Sequence, residues 1–115
     1  MTRYILSIIQ PDGPPPPPET LGPIMAELAR VNADMTAAGV RVMAAGLAPA
    51  SEAFVIRDGR GSVEITDGPF AETKEHFGGF TIIEVVDRAQ AEHWAGRLAG
   101  AITLPIEARR LIEHA

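Results

Sequence analysis

Two segments of the chain, Tyr4–Ile9 and Gly79–Val86, read as strands that are apolar on both faces. In the first, Tyr4, Leu6 and Ile8 oppose Ile5 and Ile9; in the second, Phe80, Ile82 and Val86 oppose Ile83 and Val85. Such strands need cover above and below. The sequence offers two helical patterns to supply it. From Leu21 to about Ala38, Leu21, Ile24, Met25, Leu28, Val31 and Met35 recur at helical spacing, with Pro23 in the first turn and Gly39 as a C-terminal stop. The second helix opens at Asp87, whose partner Gln90 makes a capping-box variant, presents Ala91, Trp94, Ala95 and Leu98, and ends before Gly100. Two helices cover one face of a sheet. The other face then needs a second copy of the chain, which predicts a homodimer with two sheets packed face to face.

Further strands are expected at Val40–Ala45 and Ile106–Ile112. Ala53–Arg57 and Ser62–Thr66 flank Asp58-Gly-Arg-Gly61 and should pair as a hairpin. The order strand, helix, strand, hairpin, strand, helix, strand is an α+β, ferredoxin-like plan, βαβ-(β-hairpin)-βαβ. The run Pro11–Pro18 cannot be helix or central strand and is expected as polyproline II, either a stiff connector or a ligand for a proline-binding domain.

A chain of 115 residues, 46% hydrophobic, has material for one modest core, so residues 1–115 are expected to form a single domain. A net charge of −5 without a Lys/Arg cluster argues against nucleic acid. The absence of cysteine excludes disulfides, thiolate nucleophiles and zinc ribbons. The N-terminal apolar run is too short for a membrane span, and a cytoplasmic protein is expected. Three scattered His residues make no metal spacing, and neither a phosphate-cradling loop nor a nucleophile elbow is present. No metal or cofactor is expected.

Chemistry-bearing side chains concentrate between Asp67 and Phe80. Asp67-Gly-Pro69 forces a turn, in which Asp67 either ties down backbone N–H groups or serves as a base or ligand-binding carboxylate. Phe70 and Phe80 read as core or pocket wall. Glu72, Lys74, Glu75 and His76 are the one dense group capable of proton transfer, or else a solvated run of charges. Thr73 is placed to donate to an anion or to cap a helical turn, and Gly78-Gly79 lets the backbone approach a neighbouring strand at a bulge or a small ligand.

These residues carry a resemblance. Asp67-Gly-Pro-Phe-Ala-Glu-Thr-Lys-Glu75 followed by Gly78-Gly-Phe80 resembles the hallmark of the YCII-related family, specifically its DGPF branch. The likeness extends to Ala37-Ala-Gly-Val40, to Gly46-Leu-Ala-Pro49 and to Ala91-Glu-His-Trp-Ala95. It implies a dimeric α+β barrel, in agreement with the strand patterns, and a setting beside extracytoplasmic-function sigma factors, but no settled activity. The resemblance also implies, in relatives, a His on the first helix acting with an Asp near the second. Here Leu28 stands at that register and the first helix has no His.

Two functions follow. One is a small dimeric regulatory or ligand-binding module. The other is a cofactor-free small-molecule enzyme using acid/base residues of the 67–80 segment, with its pocket between sheet and helices. The candidate pocket residues are Asp67, Phe70, Thr73, Lys74, Glu75, His76, Gly79 and Phe80.

Overall fold

Strand β1, Thr2–Pro11, is the axis on which the rest of the fold is hung. The computed structural model describes residues 1–114. Helix α1 spans Pro18–Ala37, β2 Arg41–Gly46, a hairpin β3 Phe54–Asp58 and β4 Val63–Asp67, β5 Glu75–Val85, α2 Arg88–Ile102 and β6 Ile106–Arg110. The main sheet has the order β2-β5-β1-β6, with β5 antiparallel to both β1 and β2 and β6 antiparallel to β1. The two βαβ units therefore interleave, which is the expected ferredoxin-like α+β arrangement. The hairpin forms its own two-stranded sheet.

Register sorts the strand residues into faces. Tyr4 pairs with Ile83 and Leu6 with Thr81, and Ala108 lies opposite Leu6 on the other side. This face carries the helices: Leu6, Ile83 and Val85 are fully buried with Val31 and Met35 of α1 and Leu98 of α2. Each such aliphatic side chain contributes about 1.5–3 kcal/mol relative to exposure. A 2.7 Å ion pair from Arg97 of α2 to Asp34 of α1 ties the two helices together at the rim.

Several boundaries differ from expectation, and the run Pro11–Pro18, expected outside helix and strand, gives Pro11 to β1, where it pairs with Glu75, and Pro18 to α1. Helix α1 begins at Pro18, because the carbonyl of Pro17 accepts from the N–H groups of Thr20 and Leu21 and Pro18 supplies a preset φ at the first helical position. Pro23 thus lies inside the helix rather than in its first turn. Helix α2 runs through Gly100 to Ile102, since buried Leu98 and Ala101 hold its last turn, and Thr103 takes the left-handed cap at φ 59°. Its start is as expected: the Asp87 carboxylate accepts from Gln90 N–H at 2.9 Å, while the Gln90 side chain accepts from Val86 N–H. Strand β5 begins at Glu75, four residues before the expected Gly79, because β1 continues to Pro11 and pairs with it. The charged Lys-Glu-His run has no apolar alternation to betray a strand; its partner supplies the order.

The face of the sheet away from the helices is bare. Ile5, Ile9, Phe80 and Ile82 are only half-buried there, and Phe77 and Met43 are 51% and 44% exposed. The hairpin adds Phe54, Ile56, Val63 and Ile65 on one of its own faces, each more than half exposed. The molecule is a plate of 49 × 43 × 17 Å with a radius of gyration of 16.5 Å. A globular chain of this length would have about 13 Å.

Candidate functional site

Small residues open a cavity in one end of the core. On the helix-covered face, β5 carries Ile83 and Val85 toward its C-terminus but Gly79 and Thr81 toward its start, and β2 presents Ala44 and Gly46 beside them. These cannot fill the space beneath α1. A cleft of about 430 Å³ results, walled by Ile8, Met25, Leu28, Leu98 and Ile102. Asn32, Arg41, Thr81 and Gln10 are its polar members. That volume and that mixture of apolar wall with a few polar groups are those of small-molecule sites.

Asn32 is the anomaly within it. Its side-chain Oδ1 is buried and has no hydrogen-bond partner. The Thr36 hydroxyl donates to the backbone carbonyl of Asn32, not to its amide. An orphaned buried acceptor costs about 1–3 kcal/mol. Arg41, which is exposed, forms no ion pair among the described residues, and neither do Arg57, Arg60 and Arg110.

Gly78 and Gly79 shape the junction between β1, β2 and β5. A bulge at Ile8/Ile9 leaves Gly78 unpaired with β1, and the Gln10 side chain lies over it. A Cβ on Gly79 would sit 2.9 Å from the Ala45 carbonyl oxygen and 3.2 Å from Gly46 Cα. Of the two reasons for a double glycine, close approach of a neighbouring strand at a bulge is therefore met.

Beyond the bulge, at the open end of β5, His76 Nε2 lies 2.8 Å from Asp12 Oδ1. The pairing is built by the backbone: β1 and β5 run on together to Pro11 and Glu75, and Asp12 N–H then donates to the Lys74 carbonyl at 2.8 Å. Gly13, at φ 127°, turns the chain away into the proline run. With Nε2 engaged by the carboxylate, Nδ1 is the ring nitrogen left for another partner. His76 and Phe77 line hollows on three sides, of about 340 Å³ against Leu47–Ala53, about 420 Å³ against Gln10–Pro15 and about 350 Å³ against Phe70–Glu75. Gln10 and Gly78 border both the second of these and the cleft beneath α1, so the two sites adjoin.

The family model for the YCII-related domain matches residues 2–112. The chain belongs to the YCII-related family. It is also similar to an uncharacterised protein of Rhizobium meliloti (strain 1021), 35% identical over 78 residues, which are 68% of this chain and 63% of the relative. The chain thus spans less than two thirds of that relative's length.

Within this YCII-related chain the candidate residues disperse. Gly79 and Phe80 border the cleft beneath α1, and Phe70, Thr73, Glu75 and His76 border the outer hollows. The Thr73 hydroxyl donates to the Glu75 carbonyl and pins the entry to β5. Lys74 is exposed and lines none of these clefts. Asp67 ends β4, is exposed, and its carboxylate accepts no hydrogen bond among the described residues. Phe70 is 79% exposed, with the Arg57 guanidinium 5.3 Å above its ring. Leu28, at the register where the resemblance puts a His, is an apolar wall of the cleft beneath α1.

Asp12, Asn32 and Arg41 escaped the sequence reading. Asn32 had a signal: it stands four residues after Leu28 and next to Val31, a polar residue on the buried side of an amphipathic helix. Asp12-Gly-Pro14 likewise repeats the Asp67-Gly-Pro69 triplet. Among the described residues, no group of three or more His, Asp or Glu side chains gathers to hold a metal, and no helix is long and apolar enough to cross a membrane.

Proposed function

We propose that this YCII-related protein is a homodimeric ligand-binding module of the DGPF branch, taking a small molecule into the cleft between α1 and the β2/β5 end of the sheet. The observation that carries this reading is the cleft of about 430 Å³ itself, with Met25, Leu28, Leu98 and Ile102 as apolar wall and Gln10, Asn32, Arg41 and Thr81 as its few polar members. The dimer is supported by the bare apolar sheet face and the plate-like shape. The regulatory setting beside a sigma factor is supported by the Asp67–Phe80 resemblance alone.

Eight-carbon probes test the cleft: octanol, octanamide, octanoate and 2-hydroxyoctanoate, titrated while the Asn32 side-chain amide and the Leu28 and Leu98 methyl resonances are followed. At least one should shift all three groups together. Leu28→Trp, which fills the cleft, should abolish those shifts while the remaining spectrum stays folded. Shifts confined to the exposed faces, or undiminished binding by Leu28→Trp, would sink the reading.

The 2.8 Å Asp12–His76 pair favours one second reading, a cofactor-free enzyme in which His76, oriented by Asp12, moves a proton to or from a substrate in the outer hollow. A working base of this kind should speed deuterium uptake from D₂O at the α-carbon of cyclohexanone by about a hundredfold or more. His76→Gln should return the rate to that of buffer. If the unaltered protein already exchanges at the buffer rate, His76 and Asp12 are only a structural tie.

A further inference from the structure

We infer that the β3–β4 hairpin is an exchanged arm. In the homodimer, the hairpin of one copy lays its apolar face over the open end of β5 in the other and completes the walls of the hollows there. The inference rests on the proposed reading that the chain is a homodimer. Its own basis is a two-stranded sheet whose apolar face nothing in its own chain covers.

Register divides the hairpin into two faces. Ile56 pairs with Ile65, Phe54 with Asp67 and Asp58 with Val63, so Phe54, Ile56, Val63 and Ile65 share one side. All four are more than half exposed. The other side holds Val55, Arg57, Glu64 and Thr66, and there the chain does supply cover: Val55 is half-buried, and the Arg57 guanidinium stands 5.3 Å from the Phe70 ring. The apolar side is thus the one left open, the reverse of what a monomer needs. β3 and β4 pair with each other and with no strand of the main sheet. A hairpin of this kind is marginal in water unless its apolar face is packed.

Position and area assign that packing to a second copy. The hairpin leaves the body between Leu47–Ala53 and Phe70–Glu75, and these two stems wall the hollows on either side of Phe77. Phe77 pairs with Ile9 at the end of the bare face, so the arm is rooted where that face ends. A twofold axis that carries one arm onto the other copy returns the second arm to the first, and the assembly closes. The apolar centre of the bare face, from Ile5 to Ile9 across β1, β5 and β2, has a footprint of about 240 Å² at the usual strand spacing and rise. A stable interface buries about 800 Å² of accessible surface per partner. Each exchanged arm brings its own face of about 160 Å² and an equal area of the copy beneath it, which raises the footprint to about 550 Å². Accessible surface exceeds footprint because side chains stand off the sheet. With the arms the interface reaches standard size; the bare face alone falls short.

Hydrogen exchange tests whether the arm depends on the partner. At a concentration where light scattering gives twice the chain mass, the cross-strand amides of β3 and β4 should be protected at least about a hundredfold. In Ile82→Asp, whose change lies on the main sheet and not on the arm, that protection should vanish together with the dimer, while β1 and β5 amides stay slow. In the reverse direction, Ile56→Asp should raise the dimer dissociation constant at least about tenfold, read by light scattering on dilution, with the spectrum of the helices and main sheet unchanged. Glu64→Gln, on the opposite face of the hairpin, should leave the constant as it was. If the hairpin stays protected in Ile82→Asp at 12.2 kDa, or if Ile56→Asp associates as tightly as the unaltered protein, the exchange is wrong while the homodimer stands. If the unaltered protein itself weighs 12.2 kDa at micromolar concentration, the exchange and the homodimer fall together.

Discussion

Gly79→Ala is expected to destabilise the fold by about 3 kcal/mol, the upper range for forcing a methyl into packed surroundings. The added Cβ would stand 2.9 Å from the Ala45 carbonyl oxygen and 3.2 Å from Gly46 Cα, and both of those are backbone. Relief therefore requires β2 to move away from β5, which loosens the ladder from Met43 to Gly46 and the floor of the cleft with it. At Gly78 the neighbour is different. There the added atom would strike the far end of the Gln10 side chain, which can swing aside, but would also stand 3.0 Å from Gln10 Cβ, which moves only with β1, so Gly78→Ala should cost about 1–2 kcal/mol, less than Gly79→Ala.

The opposite sign is expected in α2. A Cβ on Gly96 or Gly100 would meet nothing within 4 Å. Both residues lie inside the helix, where alanine in place of glycine gains about 1 kcal/mol from propensity and a less flexible unfolded chain. Urea denaturation of the three variants should therefore rank Gly100→Ala above the unaltered protein and Gly79→Ala far below it, with Gly78→Ala between Gly79→Ala and the unaltered protein. If Gly79→Ala denatures within about 0.5 kcal/mol of the unaltered protein, close strand approach is not what the second glycine provides.

How much of this was legible in the sequence depends on what carried the information. The core was legible because Tyr4, Leu6, Ile83 and Val85 obey a period of two and Leu28, Val31 and Met35 a period near four, so the faces could be named before the fold was known. Asp87 and Gln90 were legible because a capping box is a local bond between residues three apart. The proton-transfer group was only partly so. His76 stood out by its neighbours, but its partner Asp12 is brought to it by the continuation of a long-range strand pair, and nothing local to either residue records that. The cleft beneath α1 was hidden for a related reason. It is an absence, made where Gly79, Thr81, Ala44 and Gly46 from two strands come side by side beneath one helix, and each is unremarked alone. Lys74 and Asp67 drew attention by charge, yet their side chains face solvent.

Light scattering at micromolar concentration is expected to give twice the 12.2 kDa mass of the chain, and Ile82→Asp is expected to halve it. Ile82 sits mid-strand on the bare face, flanked by Ile5 of β1 and Met43 of β2. Phe77 and Met43 are about half exposed on that face, and Arg3, Glu84, Glu107 and Arg109 at its other end already satisfy one another within the chain as the pairs Arg3–Glu84 and Arg109–Glu107. A second copy laid on this surface would therefore bury aliphatic and aromatic groups centrally and leave the ion pairs at the rim, the usual division of a stable interface. A carboxylate forced into that centre without a partner weakens association by about 3–5 kcal/mol, roughly a hundredfold to several thousandfold in dissociation constant. Phe77→Asp, at a position that tolerates half exposure in the single chain, should act in the same direction and separates loss of association from loss of folding. If the unaltered protein weighs 12.2 kDa in solution, the bare face belongs to some other partner; if Ile82→Asp and Phe77→Asp remain folded and doubled in mass, the copies meet elsewhere, and the exposed Phe54, Ile56, Val63 and Ile65 of the hairpin become the surface to alter next.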